Sequence, residues 1–391
     1  MSVRRVFVIV MDSFGIGALP DAGRFGDAGS DTLRAVAAQS GFCAPTLASL
    51  GLFNIAGTDH ARAVRAPRGA FGRMAERSAA KDTTTGHWEL AGLISESAPP
   101  TFPGGFPQDF IDRLEQATGR GTLCNRPYSG TQLLLDYGRE HEATGKLIVY
   151  TSADSVFQIA AHEAVVPLPE LYAACETARG LLTGPLAVSR VIARPFVGEY
   201  PRYTRTANRH DYSLPPTGPT MLDRLTGAGY DVIGVGKIGD IFAGVGVGES
   251  LRTTGNADGM ARTLDCQRRD FTGLCFVNLV DFDMLYGHRN DAAGYAAAVM
   301  EFDRWLPAFL GGMRGGDLLF VTADHGCDPS TPSTDHSREY VPLLAAGPTV
   351  RAGADIGTRA SFADLAETVL DAFGLDGLGT GTSFLHDIVS K

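Results

Sequence analysis

Three aspartates each stand where an apolar run ends: Asp12 after residues 6–11, Asp283 just after 274–280, and Asp324 after 318–323. Histidines accompany two of them, with His288 following in Asp283-Met284-Leu285-Tyr286-Gly287-His288, His325 directly after Asp324, and His336 farther along the same segment. Singly, an aspartate behind a strand is most often a turn former or a helix cap. Gathered at neighbouring strand ends, carboxylates repel one another by about 4 kcal/mol for a pair roughly 4 Å apart at a protein-surface dielectric. The cost demands a compensating charge, and mixed carboxylate and imidazole donors suit manganese, zinc or iron, with magnesium where oxygen dominates. Two such groups of donors point to a two-metal site.

A fourth element is Lys81-Asp82-Thr83-Thr84-Thr85-Gly86-His87-Trp88-Glu89, a threonine run entering a helix. The bland reading is an N-cap cluster, with at least one of the threonines capping the helix. The sharper reading is a hydroxyl nucleophile at a helix N-terminus, where free N–H groups and the dipole favour a bound phosphate. A threonine hydroxyl is a poor nucleophile at neutral pH. A divalent cation corrects that, since it lowers the pKa of bound water from about 15.7 to about 7.

These groups need a scaffold that brings distant segments to one edge. The three apolar runs read as strands buried on both faces, as in a parallel sheet, and helical patterns lie at 257–267, 292–306 and 361–373. The expected fold is a doubly wound α/β core with a mostly parallel sheet, in which ligands bind beyond the carboxyl ends of the strands. Pro/Gly-rich stretches at 99–105 and 214–219 read as paired crossings. Between them lie strand patterns at 147–151 and 189–195 and helical patterns at 110–118 and 169–182. That divides the chain into a first part of the core (1–98), an inserted smaller α+β cap (99–218) and a second part of the core (219–391).

Composition narrows the class. The 391-residue chain is 44% hydrophobic and 20% charged with a net charge of −10, which leaves no broad basic surface for nucleic acid. The apolar run near the start is too short for a signal peptide, no stretch approaches a membrane span, and six cysteines lie without CxxC spacing. A cytoplasmic enzyme with reduced thiols is expected.

The motifs together carry a resemblance. Asp-Ser-Phe-Gly near the start, a hydroxyl followed by x-x-Gly-His, Asp-x4-His, and Asp-His-Gly with a later histidine form the pattern of the alkaline phosphatase superfamily. Within it the chain resembles the phosphopentomutase family through VIVMDSFGIGALPDA, KDTTTGHWE, RTANRHDY, VDFDMLYGHRND and TADHGCDPSTPSTDHSREYVPLL, from Val8 to Leu344. Cofactor-independent phosphoglycerate mutases resemble Asn-Ser-x-x-Gly-His and Asp-x3-His at the corresponding places, where this chain has Asp82-Thr83 and Asp-x4-His.

The resemblance implies one metal on Asp283, His288 and His336, another on Asp12, Asp324 and His325, and Thr83 as the phosphorylated nucleophile. It also implies interconversion of ribose or deoxyribose 1-phosphate and 5-phosphate through a sugar bisphosphate, with manganese as the metal and a sugar 1,6-bisphosphate as primer. A phosphoglycerate mutase-like enzyme or a metal-dependent phosphatase is the alternative.

Candidates for holding the sugar phosphate are Ser152, Asp154, Arg194, Arg205 and Arg209 in the insertion, with His210 beside them, and Lys237 in the core. Arginine's planar fork suits phosphate oxygens. Lys237 lies in Gly234-Val235-Gly236-Lys237-Ile238-Gly239, a formal GxGxxG that would suit an NAD-dependent dehydrogenase only if a helix opened there. The glycine-rich continuation to Gly246 speaks against that helix. Cys327 reads as a small buried apolar residue, His87 as packing or hydrogen-bonding near Thr83 without binding metal, and His60, His141 and His162 as structural or surface residues.

Overall fold

The computed structural model describes residues 3–152 and 155–389. The chain divides into two compact units, one made of Met1–Ser97 and Pro215–Lys391, the other of Ala98–Leu214.

The first unit is built on an eight-stranded sheet in the order Glu249–Leu251, Asp231–Val235, Gly273–Leu279, Arg5–Met11, Asp317–Thr322, Val341–Ala346, Ala70–Met74, Asp355–Arg359. Only Val341–Ala346 runs against its neighbours, so the sheet is mostly parallel. Every residue of Arg5–Met11, Gly273–Leu279 and Asp317–Thr322 is buried, which is why these strands read as mostly apolar runs. The two charged residues among them tolerate burial together: Arg5 is 2% exposed, Asp317 pairs with its guanidinium at 2.6 Å and the carbonyl of Gln267 takes a further N–H. The expected helices are present at Asn256–Arg268, Ala292–Gly311 and Ala363–Ala372.

Register brings the chemistry together. Arg5–Met11 lies between the other two long strands, with Val10 opposite Asn278 on one side and Thr322 on the other. All three strands run in the same direction, so the residues just past their carboxyl ends, Asp12, Asp283 and Asp324, meet at one edge.

The second unit has its own six-stranded mixed sheet, with Thr122–Pro127, Leu147–Thr151, Val156–His162 and Arg190–Glu199 in order, and Arg202–Arg205 and His210–Ser213 both antiparallel to the last. Alternate residues of Leu147–Thr151 serve two apolar clusters, Leu147 and Val149 in one, Ile148 and Tyr150 in the other. Helices Gln108–Thr118 and Leu168–Leu181 close the first cluster and Gly130–Thr144 the second.

The GxGxxG segment does not open a nucleotide-type helix. After Asp231–Val235, Gly236 turns with φ +80 and only the four-residue helix Ile238–Ile241 follows, before Gly244 and Gly246 turn again at positive φ. Among the described residues no helix is long and apolar enough to cross a membrane.

Candidate metal centre

The turn after Arg5–Met11 is tight: Ser13 takes φ 71, and its N–H donates to Asp324 Oδ1 at 3.0 Å. This backbone bond ties the first strand end to the third. Asp12 is fully buried. One of its oxygens accepts from Asn278 Nδ2 at 2.9 Å, while Oδ1 has no hydrogen-bond partner and lies 3.5 Å from His325 Nε2. Burial first, then the charges of Asp324 and Asp283, raise the Asp12 carboxyl well above its ordinary range. Burial also opposes ionisation of Asp324, but His325 and His87 outweigh it and hold that carboxyl at about 2.

His325 is oriented by its own chain. Its Nδ1 lies 3.0 Å from the Gly326 carbonyl, to which it can donate, and its Nε2 is turned to the carboxylates, 3.3 Å from Asp324 Oδ2. His288 is held in the same way, with Nδ1 2.7 Å from the Thr334 carbonyl and Nε2 3.2 Å from Asp283 Oδ2. The other oxygen of Asp283 faces His336 Nε2 at 3.6 Å. Asp283 sits in a π-helical turn, Phe282–Tyr286, whereas Asp281 points elsewhere and accepts from Asn256 N at 2.6 Å.

Two donor groups result. Asp12, Asp324 and His325 form one, and Asp283 anchors the other in two overlapping sets, with His325 and His336 or with His288 and Cys327; donor atoms within each set lie within 4.8 Å of one another. Asp12 Oδ1, Asp283 Oδ1 and His336 Nε2 are buried without hydrogen-bond partners among the described residues, and Asp324 Oδ2 faces His87 Nδ1 at 3.0 Å and His325 Nε2 at 3.3 Å. Leaving such atoms unpaired is costly, and a pair of divalent cations is the charge and the partner that this donor set fits.

The helix Thr83–Leu90 is docked onto this edge, because Gly86 packs on the backbone of Asp324 with no room for a Cβ. Its cap differs from the expectation. Asp82, and none of the threonines, is the N-cap: Oδ1 accepts from the N–H groups of Thr84 and Thr85, and Oδ2 accepts the Thr85 hydroxyl at 2.7 Å. A carboxylate competes better than a hydroxyl for these amides, and it also occupies N–H groups expected to be free for phosphate. The Thr83 hydroxyl lies 3.2 Å from His325 Nε2. His87 is buried, with Nδ1 2.9 Å from the Thr83 carbonyl and Nε2 3.3 Å from Asn278 Nδ2. Asn278 thus links Asp12 to the start of this helix, a role with no sequence signal beyond a polar residue inside an apolar strand.

Other residues that sequence reasoning missed brace the loops. Glu339, buried, accepts from Gly17 N, Thr32 N and the hydroxyls of Thr32 and Ser337. Lys81 Nζ joins Asp27 at 3.0 Å and Asp335 at 3.3 Å. Lys237 faces the centre closely enough for its charge to favour ionised Asp12. In the second unit, Arg194, Arg205 and Arg209 all act on buried Tyr150, where burial pushes the phenol up and the three guanidinium groups push it down. Arg194 donates to Gln158 and Arg209 is held by Asp211 through two bonds of 2.6 Å. Asp154 lies outside the described residues.

A family model described as the metalloenzyme superfamily matches residues 4–377. Two curated relatives, each described as a phosphopentomutase, share 56% identity with the chain. That of Lachnoclostridium phytofermentans aligns over 390 residues, 100% of both chains. That of Carboxydothermus hydrogenoformans aligns over 387 residues, 99% of this chain and 100% of its own. Among solved structures, Leishmania mexicana phosphoglycerate mutase at low cobalt concentration superposes with a TM-score of 0.51 at 12% identity, covering 100% of this chain and 98% of that one, which shows a shared fold.

Proposed function

The chain belongs to the phosphopentomutase family of the metalloenzyme superfamily, metal-dependent isomerases of sugar phosphates, and from that premise we propose that it interconverts ribose or deoxyribose 1-phosphate and 5-phosphate through a phosphate carried on Thr83. The observation that supports Thr83 above its neighbours is its hydroxyl 3.2 Å from His325 Nε2, while the Thr85 hydroxyl is committed to Asp82.

Phosphorylated Thr83 gives its phosphoryl group to the free hydroxyl of the pentose phosphate, whose proton passes to the Thr83 oxygen. A pentose bisphosphate results. Thr83 then takes the phosphoryl group from the other oxygen of that bisphosphate, leaving the isomeric monophosphate and a phosphorylated enzyme. Two divalent cations, proposed to be manganese from the donor mix together with the family resemblance, would be held by Asp283, His288 and His336 and by Asp12, Asp324 and His325; when bound they would offset the charge of carboxylates and phosphoryl oxygens and acidify a hydroxyl. The contact of His325 Nδ1 with the Gly326 carbonyl and the bond from Ser13 N to Asp324 keep the donors in place before substrate arrives. Lys237, Ser152, Arg194, Arg205 and Arg209 are proposed to bind substrate oxygens, and a sugar 1,6-bisphosphate to prime Thr83. The free cysteines fit a reducing compartment, and we place the enzyme in the cytoplasm.

The test is a product assay on ribose 1-phosphate with manganese and a bisphosphate primer, followed by phosphorus NMR. Ribose 5-phosphate should accumulate with little inorganic phosphate. Phosphate release equal to or faster than isomerisation would replace the mutase reading with a phosphatase.

A further inference from the structure

Asp283 presents its two oxygens to different partners. Oδ1 faces His336 Nε2 at 3.6 Å and has no hydrogen-bond partner although the side chain is 5% exposed; Oδ2 faces His288 Nε2 at 3.2 Å. The sulfur of Cys327, 1% exposed, completes a group with Asp283 and His288 whose donor atoms lie within 4.8 Å of one another. Space for that sulfur is made by Gly287, where a Cβ would come within 2.9 Å of Sγ. The thiol makes a long hydrogen bond, 3.5 Å to the Asp335 carbonyl, and its other polar neighbour is the His288 imidazole. Cys327 is therefore a weakly engaged soft donor beside a carboxylate oxygen and an imidazole nitrogen. Nothing comparable stands in the Asp12, Asp324 and His325 group, which has oxygen and nitrogen alone.

We propose that the Asp283 side of the centre is a dual site, in which Cys327 joins Asp283 and His288 as a thiolate ligand when the ion is thiophilic, such as zinc. Hard ions, manganese or magnesium, are held by the oxygen and nitrogen donors, since thiolate selects the softer metals. Binding of zinc breaks the S–H bond, forms a Zn–S bond and releases the proton to the buffer, with no change in oxidation state. Oδ2, His288 and the sulfur would hold a thiophilic ion without calling on Oδ1 and His336, so that such an ion would use a donor set different from that of a hard one.

This inference rests on the two-metal reading, and its test reads the donor shell and not turnover. Metal-stripped full-length Cys43→Ser protein, lacking the exposed cysteine, is loaded with two equivalents of zinc and measured by X-ray absorption at the zinc edge. A sulfur shell at about 2.3 Å, beside nitrogen and oxygen at about 2.0–2.1 Å, is expected, and adding Cys327→Ser should remove it. Zinc bound through nitrogen and oxygen alone would overturn the thiolate assignment while leaving the two-metal reading in place. A sulfur shell that survives Cys327→Ser overturns it as well, as does a protein that binds no zinc; only a protein that also fails to bind manganese overturns the two-metal reading too. Because the first arm keeps Cys327 intact, a folding defect in the double variant cannot rescue the proposal.

Discussion

Gly86 packs its backbone against the carbonyl of Asp324, so the helix that starts at Thr83 is docked onto the strand end that carries two candidate metal ligands. The Gly in the threonine motif is thus a requirement of close approach. The Thr83 hydroxyl reaches His325 because the helix can come this near.

Gly86→Ala should therefore push the helix off the sheet edge. Overpacking of this kind costs about 1–3 kcal/mol, and a misplacement of about 1 Å at a reacting group costs about 100-fold in rate. Urea denaturation and turnover measured together test it. Wild-type turnover in Gly86→Ala would mean that the close approach does not position Thr83.

Thr83→Ala should lose the covalent phosphate and at least about 1,000-fold in turnover, as loss of a nucleophile does. Thr85→Ala should remain phosphorylated, at a stability cost of about 1 kcal/mol for its bond to Asp82. Peptide mass spectrometry after priming with a sugar bisphosphate decides between them. A phosphate on Thr84 or Thr85 sinks the assignment.

Much of this centre could be read in advance because its logic is local. Strands buried on both faces announce themselves as apolar runs, and the first polar residue after each must lie at the sheet edge. Fold class and the convergence of Asp12, Asp283 and Asp324 follow from that periodicity. What stayed hidden depends on contacts between residues far apart in the chain. That Asp82 caps the helix instead of a threonine, that Asp281 turns to Asn256 instead of the centre, and that Asn278 bridges Asp12 and His87 are decided by tertiary geometry. Glu339 and Lys81 gave no signal for the same reason.

The metal-free chain should lose stability as pH rises. Hydrogen bonding to Asp283 pushes the His288 imidazole up to about 11, against about 6.5 when unfolded. The folded chain binds that proton more tightly, so the stabilisation is complete below about pH 6.5 and fades as pH climbs toward about 11. Urea midpoints of chelator-treated protein should fall between about pH 7 and about pH 10, and His288→Ala should flatten the slope. Metal uptake must displace the same proton, so affinity should tighten with pH. Equal slopes in wild type and His288→Ala would reject the pairing.

Lys81→Met should loosen both sides of the centre at once. Its ammonium joins Asp27, 8% exposed in its side chain, to Asp335, whose other oxygen accepts the His336 N–H at 2.9 Å. On its own chain the next residue is Asp82, the cap of the Thr83 helix. One side chain thus tethers the nucleophile segment to the segment that carries His336. Losing charged hydrogen bonds of this kind costs about 1.5–3 kcal/mol, and Asp27 keeps only its bond from Arg338 N at 2.9 Å. We expect turnover to fall by about tenfold or more through misplacement of Thr83 and His336. Binding of the metal at the His336 side should weaken in parallel, as loss of an outer partner typically costs about 10–100-fold in metal affinity or activity. Lys81→Arg, which keeps the charge and can still reach both carboxylates, should recover most of both properties. Titration of manganese into the stripped variants, alongside kcat and KM for ribose 1-phosphate, separates this tether from a general loss of stability. If Lys81→Met bound manganese and turned over as the wild type does, the two segments would have to be held by their own strands alone.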